Sequence, residues 1–190
     1  LGRLIDFHMN DSGVYVTPAS RGASHTSTAL ARLDENGAAS YTFDLEWAPT
    51  APIEVPETAQ IIEAGSISAI IEPGASAVLD ALARGREHAL VFFDPNARPS
   101  IMGEPAVALV SLERFIALAD VVKVSDEDIE WLTGGACIDE VVDRWLGMGP
   151  SLVVVTRGKH GSLAVTSSGL RFTKTPSDVK VVDTVGAGDS

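Results

Sequence analysis

The chain has a single cysteine, Cys137, so no disulfide framework can form within it. A lone thiol in an apolar-leaning segment reads as a small core residue rather than a nucleophile. That scarcity fits a reducing compartment, and the expected location is the cytoplasm. No apolar run approaches the ~20 residues that a membrane-spanning helix needs. The opening "LGRLIDFHMN" has neither a charged n-region nor an apolar h-region, so no signal peptide is legible in it. Basic residues are also few: 14 Lys and Arg stand against 26 Asp and Glu, a formal charge of −12. This balance argues against a nucleic-acid partner, which calls for clustered Lys and Arg. It leaves an anionic ligand open, because backbone N–H groups can hold a phosphate in an acidic protein. What remains is an ordinary globular composition, 45% apolar over 190 residues, enough for one good-sized core and a small appendage.

Two regions differ in period. In residues 24–47 the second half alternates strictly, with Ala39, Tyr41, Phe43, Leu45 and Trp47 on one face and Ser40, Thr42, Asp44 and Glu46 on the other. Asn36-Gly37 between the runs supplies turn chemistry, so the spacing predicts an antiparallel hairpin with one wet face. "WAPTAPIEVPE" breaks the pattern with three prolines and reads as a linker. The expected division is therefore 1–58, an amino-terminal portion with the hairpin and linker, and 59–190, an α/β core. In the core, strands are expected at "AQIIEAGS", "HALVFFD", "DVVKV" and "SLVVVTRG". Helices are expected from about Pro73 to Arg86, over "GEPAVALVSLERFIALA", over "SDEDIEWLTGG" and around Asp139–Leu146. "SLAVTS" and "LRFTKT" suggest a late hairpin. Apolar strands alternating with helices imply a mostly parallel sheet covered on both faces, with ligands beyond the carboxyl ends of its strands.

Polar clusters stand at those ends: "DPNAR" (94–98), "KVSDED" (123–128), "TRGKHG" (156–161) and "DTVGAGD" (183–189). Each alone is better read as a turn; four in series point to a shared site. By local chemistry, Asp189 caps a helix, "TRGKHG" is a tight connection between strands, Arg98 pairs with Asp94, and Asp126, Glu127 and Asp128 load a helix amino terminus. His160 is expected on the loop surface.

"DTVGAGD" matches the signature of the ribokinase-like (PfkB) carbohydrate kinases. "DPNAR", "KVSDED" and "TRGKHG" occur in that family's order, and "KVSDED" is most similar to its fructokinase branch. The hairpin resembles the small β lid of the same kinases. The resemblance implies a three-layer α/β/α sandwich with a β lid. It also implies an ATP- and Mg²⁺-dependent transfer to a hydroxyl of a small sugar, fructose first. Asp189 would then be the catalytic base, with Gly186, Ala187 and Gly188 as the anion hole. Thr156, Gly158 and Gly161 would border the nucleotide, with Arg157 and Lys159 as helpers. Asn96 and Arg98 would lie near the sugar or the transferred phosphate. Many relatives carry Asn-x-x-Glu where this chain has Ser125 and Asp128, so Asp128, being shorter, would reach Mg²⁺ through water. A homodimer through the lids is a further expectation. The resemblance also implies a sugar-contacting segment before Leu1 and a segment after Ser190 that completes the nucleotide pocket.

Other readings stay open. Within the class they are kinases of 2-keto-3-deoxygluconate, ribose or a nucleoside. From other classes they are a dinucleotide-binding oxidoreductase, whose fingerprint normally lies in the first β-α unit of its domain whereas this one follows several, and a kinase-like binding protein without turnover.

Overall fold

Residues rich in β-branched and aromatic side chains form the central sheet. In the computed structural model, which describes residues 1–33 and 39–176, β3 (Ile61–Gly65), β4 (Leu90–Asp94), β5 (Val121–Ser125) and β6 (Leu152–Thr156) pair in parallel in that order. β7 (Ser162–Thr166) and β8 (Arg171–Lys174) then extend the sheet antiparallel. A separate two-stranded antiparallel sheet consists of β1 (Thr28–Leu33) and β2 (Ala39–Asp44), with Thr28 opposite Asp44 and Ala29 opposite Phe43. This is the expected hairpin. Asn36-Gly37 lies outside the described residues.

The expected helices form with the expected ends. α2 (Gly74–Gly85) follows Pro73, α4 (Pro105–Ile116) takes Pro105 into its first turn, and α6 (Ile138–Leu146) precedes β6. In α5 (Asp126–Thr133) the Ser125 hydroxyl accepts the Asp128 N–H at 3.0 Å, three carboxylates sit in the first turn, and Gly134 ends the helix with φ 70°. A short helix α3 (Pro99–Met102) and an amino-terminal helix α1 (Gly2–Asp11), which buries no residue, were not foreseen. Cys137, expected in the core, is instead exposed just ahead of α6.

Helices α2, α4, α5 and α6 cover one face of the sheet. Val91, Phe93, Val122, Val124, Val153 and Val155 point into this layer and meet Leu82, Leu112, Phe115, Ile129, Val142 and Trp145. Phe93 stacks on Phe115 with centroids 5.4 Å apart. Each such fully buried side chain contributes about 1.5–3 kcal/mol. Trp145 is 0% exposed, and its indole N–H donates to Glu113 at 3.2 Å.

The opposite face is only half-buried by the described residues. There β3 departs from the buried strand expected from sequence: Ile61 is 59% exposed and its neighbour Leu90 53%. Ile61, Glu63 and Leu90 lie on the sheet face that no described helix covers, while Ile62 and Ala64 pack toward the helical layer.

The proline-rich stretch is not a free linker. The Thr50 N–H donates to Ala19 O (3.0 Å), Arg84 donates to Ile53 O (3.0 Å), and His88 meets Pro56 O at 3.1 Å. Trp47 lies against Gly74 of the same chain. The Gly74 N–H donates to Trp47 O at 3.0 Å, and a Cβ at Gly74 would overlap the indole ring. Gly74→Ala must therefore displace the ring and is expected to destabilise the protein by about 1–3 kcal/mol, the range for overpacking. Urea unfolding measures this; a midpoint equal to wild type would show that the indole yields without strain.

Candidate active site

The parallel register aligns the polar clusters. Gly65 is opposite Asp94, and Ser125 is opposite Thr156, so the carboxyl ends of β3 to β6 form one edge. The loop after β4 is held from three sides. Asp94 Oδ1 accepts the Asn96 N–H (3.0 Å), Ser66 Oγ donates to Asn96 O (3.1 Å), and the Ala97 N–H donates to Asp128 Oδ1 (3.1 Å). Asn96 and Ser66 both have positive φ, 37° and 52°. Such values are uncommon for residues other than glycine and concentrate at functional sites.

Arg98 does not pair with Asp94. Its Nη1 donates to Asn96 Oδ1 at 2.7 Å and to Ala97 O at 2.9 Å, while Asp94 Oδ2 meets Lys123 Nζ at 2.8 Å. The register explains the exchange: Phe93 is opposite Val122, which brings the next residues, Asp94 and Lys123, side by side.

The hairpin closes a cleft of about 610 Å³ over this edge. Ser27, Thr28 and Phe43 form one wall; Ser66, Arg98 and Ile101 form the other. At the hairpin root, Ser24 gives both its hydroxyl (2.7 Å) and its N–H (2.9 Å) to Glu46, which holds that carboxyl below its usual range. His25 Nε2 lies 3.0 Å from Asp44 on the same outer face. The alternation from the end of β2 onward thus separates a cleft side, with Phe43 and Leu45, from a polar side, with Asp44 and Glu46.

Farther along the edge, residues 157–161 form a tight turn between β6 and β7. Gly158 has φ 48° and Gly161 φ 83°, and a Cβ at Gly161 would strike Lys174 O. The connection between strands and the glycine-lined loop are therefore one feature. Thr156 Oγ1 donates to Val124 O at 3.4 Å, and Arg157 Nε is buried without a partner. That orphan donor and the open space at Gly158 suit a polyanionic ligand such as a nucleotide.

Asp128, the residue expected near a metal, lies in the first turn of α5 beside the loop after β4. Burial pushes its pKa up, and the charge of Asp94 adds to this, against hydrogen bonds from Ser125 and the Ala97 N–H. A divalent cation would relieve that penalty. Among the described residues no three His, Cys, Asp or Glu side chains gather to hold one. Mg²⁺ fits nonetheless, because it is commonly bound by one or two carboxylates together with waters and substrate phosphates.

The structure thus brings together Asn96, Arg98 and Asp128, with Thr156 on the next strand and Gly158 and Gly161 in the turn beyond it. Asp189, Gly186, Ala187 and Gly188 lie outside the described residues. Sequence reasoning missed Ser27, Thr28 and Ser66, and it gave Lys123 no role. Ser66 carried a usable signal, since it too follows a strand directly.

The pfkB family carbohydrate kinase model matches residues 1–190. The chain belongs to this family. This membership leaves the dinucleotide-binding oxidoreductase reading without support. The chain is 32% identical over 197 residues to a fructokinase of Rhizobium leguminosarum bv. trifolii, covering 100% of this chain and 60% of that protein. It is 34% identical over 181 residues to a fructokinase of Klebsiella pneumoniae, covering 88% and 57%. This pfkB chain therefore spans roughly three-fifths of these curated relatives. Among solved structures, the Vibrio cholerae O395 fructokinase double mutant bound to fructose, ADP and potassium superposes with a TM-score of 0.77. It is 30% identical, with 100% of this chain and 63% of that one covered. The Salmonella enterica aminoimidazole riboside kinase, complexed with aminoimidazole riboside and an ATP analog, gives 0.77 at 28% identity, covering 99% and 63%. The fold is accordingly α/β and ribokinase-like, and the described residues supply its sheet, one helical layer and the β hairpin.

Asp128 also yields a pH prediction. A carboxyl whose folded pKa is raised above 3.8 binds its proton more tightly when folded, so stability falls as pH rises through the interval above 3.8. Asp128→Asn keeps an oxygen for the Ala97 N–H and removes the titration. Between about pH 4 and pH 7 the variant is expected to lose less stability than wild type, by urea midpoints across that range. Parallel pH profiles would show that Asp128 is not desolvated in the fold.

Proposed function

We propose that the full-length protein transfers the terminal phosphoryl group of ATP to a hydroxyl of a small sugar, with fructose the first candidate. The observation that carries this reading is the cleft between the hairpin and the sheet edge, with Arg98 in its wall, in a chain of the pfkB family. The fructokinase relatives, and a fructose- and ADP-bound structure at 30% identity, support fructose over other sugars. A nucleoside-like substrate is the second reading, supported by the riboside kinase at 28% identity.

In this proposal the lid of residues 24–47 and the core of 59–190 enclose the sugar. Asn96 and Arg98 orient the acceptor hydroxyl and the transferring phosphate, where a guanidinium offers paired donors to oxygen anions. Thr156, Gly158 and Gly161 border the nucleotide, with Arg157 Nε as a donor. Asp128 would hold Mg²⁺ through water, and the bound cation would supply positive charge against the phosphates. Asp189 accepts the hydroxyl proton while Gly186, Ala187 and Gly188 offer peptide N–H groups to the developing charge. Phosphoryl transfer rests mostly on such positioning and charge stabilisation. The exposed side of the lid, where Leu30 is 54% exposed, supports pairing of two lids in a homodimer. The cytoplasm is the proposed location, and among the described residues no helix is long and apolar enough to cross a membrane.

ADP formation by the full-length protein across a sugar panel tests the reading, with fructose expected to be turned over best. Asp189→Asn should retain ATP binding and lower turnover by about 10²-fold or more, the scale of a lost general base. Absence of sugar-dependent ADP formation would sink the proposal, and a variant within a few-fold of wild type would remove Asp189 from the base role.

A further inference from the structure

The geometry points to Lys123 as a positioning residue that sets the Asn96–Arg98 arm of the cleft, acting through Asp94. The arm begins with Asn96 at φ 37°, a conformation that an L-residue keeps only where its surroundings over-determine it. Ser66 secures the Asn96 carbonyl, and Asp128 secures the Ala97 N–H. The Asn96 N–H, at the start of the arm, depends on Asp94 Oδ1. Asp94 must keep that oxygen turned toward the loop while lying close enough to Asp128 for their charges to oppose each other.

Lys123 supplies what this requires. Its ammonium meets the other Asp94 oxygen at 2.8 Å, and both side chains are mostly shielded from solvent, at 29% and 20% exposure. An ion pair in such a setting is screened less than one at the surface. Arg98 cannot substitute, because its guanidinium is turned to Asn96 and Ala97. The arm in turn fixes Arg98: Asn96 Oδ1 and the Asn96 and Ala97 carbonyls all accept from Nη1. The chain of dependence therefore runs from Lys123 to Asp94, to Asn96, to the guanidinium in the cleft wall. Its catalytic consequence rests on the kinase reading; its structural consequence does not.

The test uses the full-length protein with Lys123→Met, Lys123→Arg, Asp94→Asn and the double variant Asp94→Asn/Lys123→Met. Amide hydrogen exchange at Asn96 and Ala97 is followed beside kcat and KM for fructose and ATP. Lys123→Met should speed exchange at these two amides and lower kcat/KM for fructose by about 10²-fold, the scale a misplaced group can impose. KM for ATP should move little. Lys123→Arg, which keeps the charge, should return both readouts to within a few-fold of wild type. The double variant should be no worse than Asp94→Asn alone, because residues acting through one another are non-additive.

Unchanged exchange at Asn96 and Ala97 in Lys123→Met would overturn the positioning role. Additive losses in the double variant would overturn it as well, since they would mean that Lys123 meets a ligand directly. A wild-type protein that phosphorylates no sugar, with exchange still accelerated in Lys123→Met, would sink the kinase reading and uphold the positioning role. Should Lys123→Met fail to fold, Lys123→Gln takes its place with the same expected outcomes.

Discussion

Parallel pairing from β3 to β6 is the constraint on which the rest of this structure depends. It places Gly65, Asp94, Ser125 and Thr156 at one edge, although they come from four strands far apart in the chain. The pairing holds because Val91, Phe93, Val122, Val124, Val153 and Val155 all point into the same helical layer. A one-residue slip in any strand would send its apolar set to the other face and withdraw its terminal polar residue from the edge. Packing and site geometry are therefore selected by the same register.

Above that edge, the hairpin is oriented from its root. A two-stranded ribbon is marginal alone, and here the bonds from Ser24 to Glu46 join its two ends. Trp47 then docks where Gly74 leaves room at the start of α2, and the proline-rich stretch continues along that helix. The lid thus enters the cleft from a fixed base. Phe43 and Leu45 thereby line the cleft that Ser66 and Arg98 also line.

Periodicity and punctuation made most of the fold legible. Ser125 as a cap, Gly134 as a stop and Pro105 in a first turn are local chemistry, and each acts where its sequence context places it. The alternation in residues 39–47 likewise separated the cleft side of the hairpin from its polar side. The failures are tertiary. "AQIIEAGS" has the composition of a buried strand, but Ile61, like Leu90 beside it, points to the sheet face that no described helix covers, which composition does not encode. At the candidate site, the clusters at strand ends anticipated that Asn96, Arg98, Asp128 and Thr156 would lie along one edge, because topology fixes where strands end. The partner of Asp94 was not legible. Arg98 is nearer in sequence, but Lys123 is nearer in register. Ser66 was passed over because serine has no strong preference for positive φ that would mark the position.

The switch from parallel to antiparallel pairing at β7 bears on how this edge can hold an anion. A parallel connection would return through a helix, whose amino terminus brings partial positive charge to the edge. Here the return from β6 takes five residues, 157–161, and brings no helix dipole. The nearest helix that starts at the edge, α5, already carries Asp126, Glu127 and Asp128 in its first turn. Its positive pole is therefore spent on its own carboxylates. In the proposed function, attraction for phosphate over this stretch would fall instead on individual donors, the Arg98 guanidinium, Arg157 Nε and turn peptides. Such donors recognise an anion by direction more than by charge, so this part of the edge would distinguish phosphates by their shape and placement in a chain that is acidic overall.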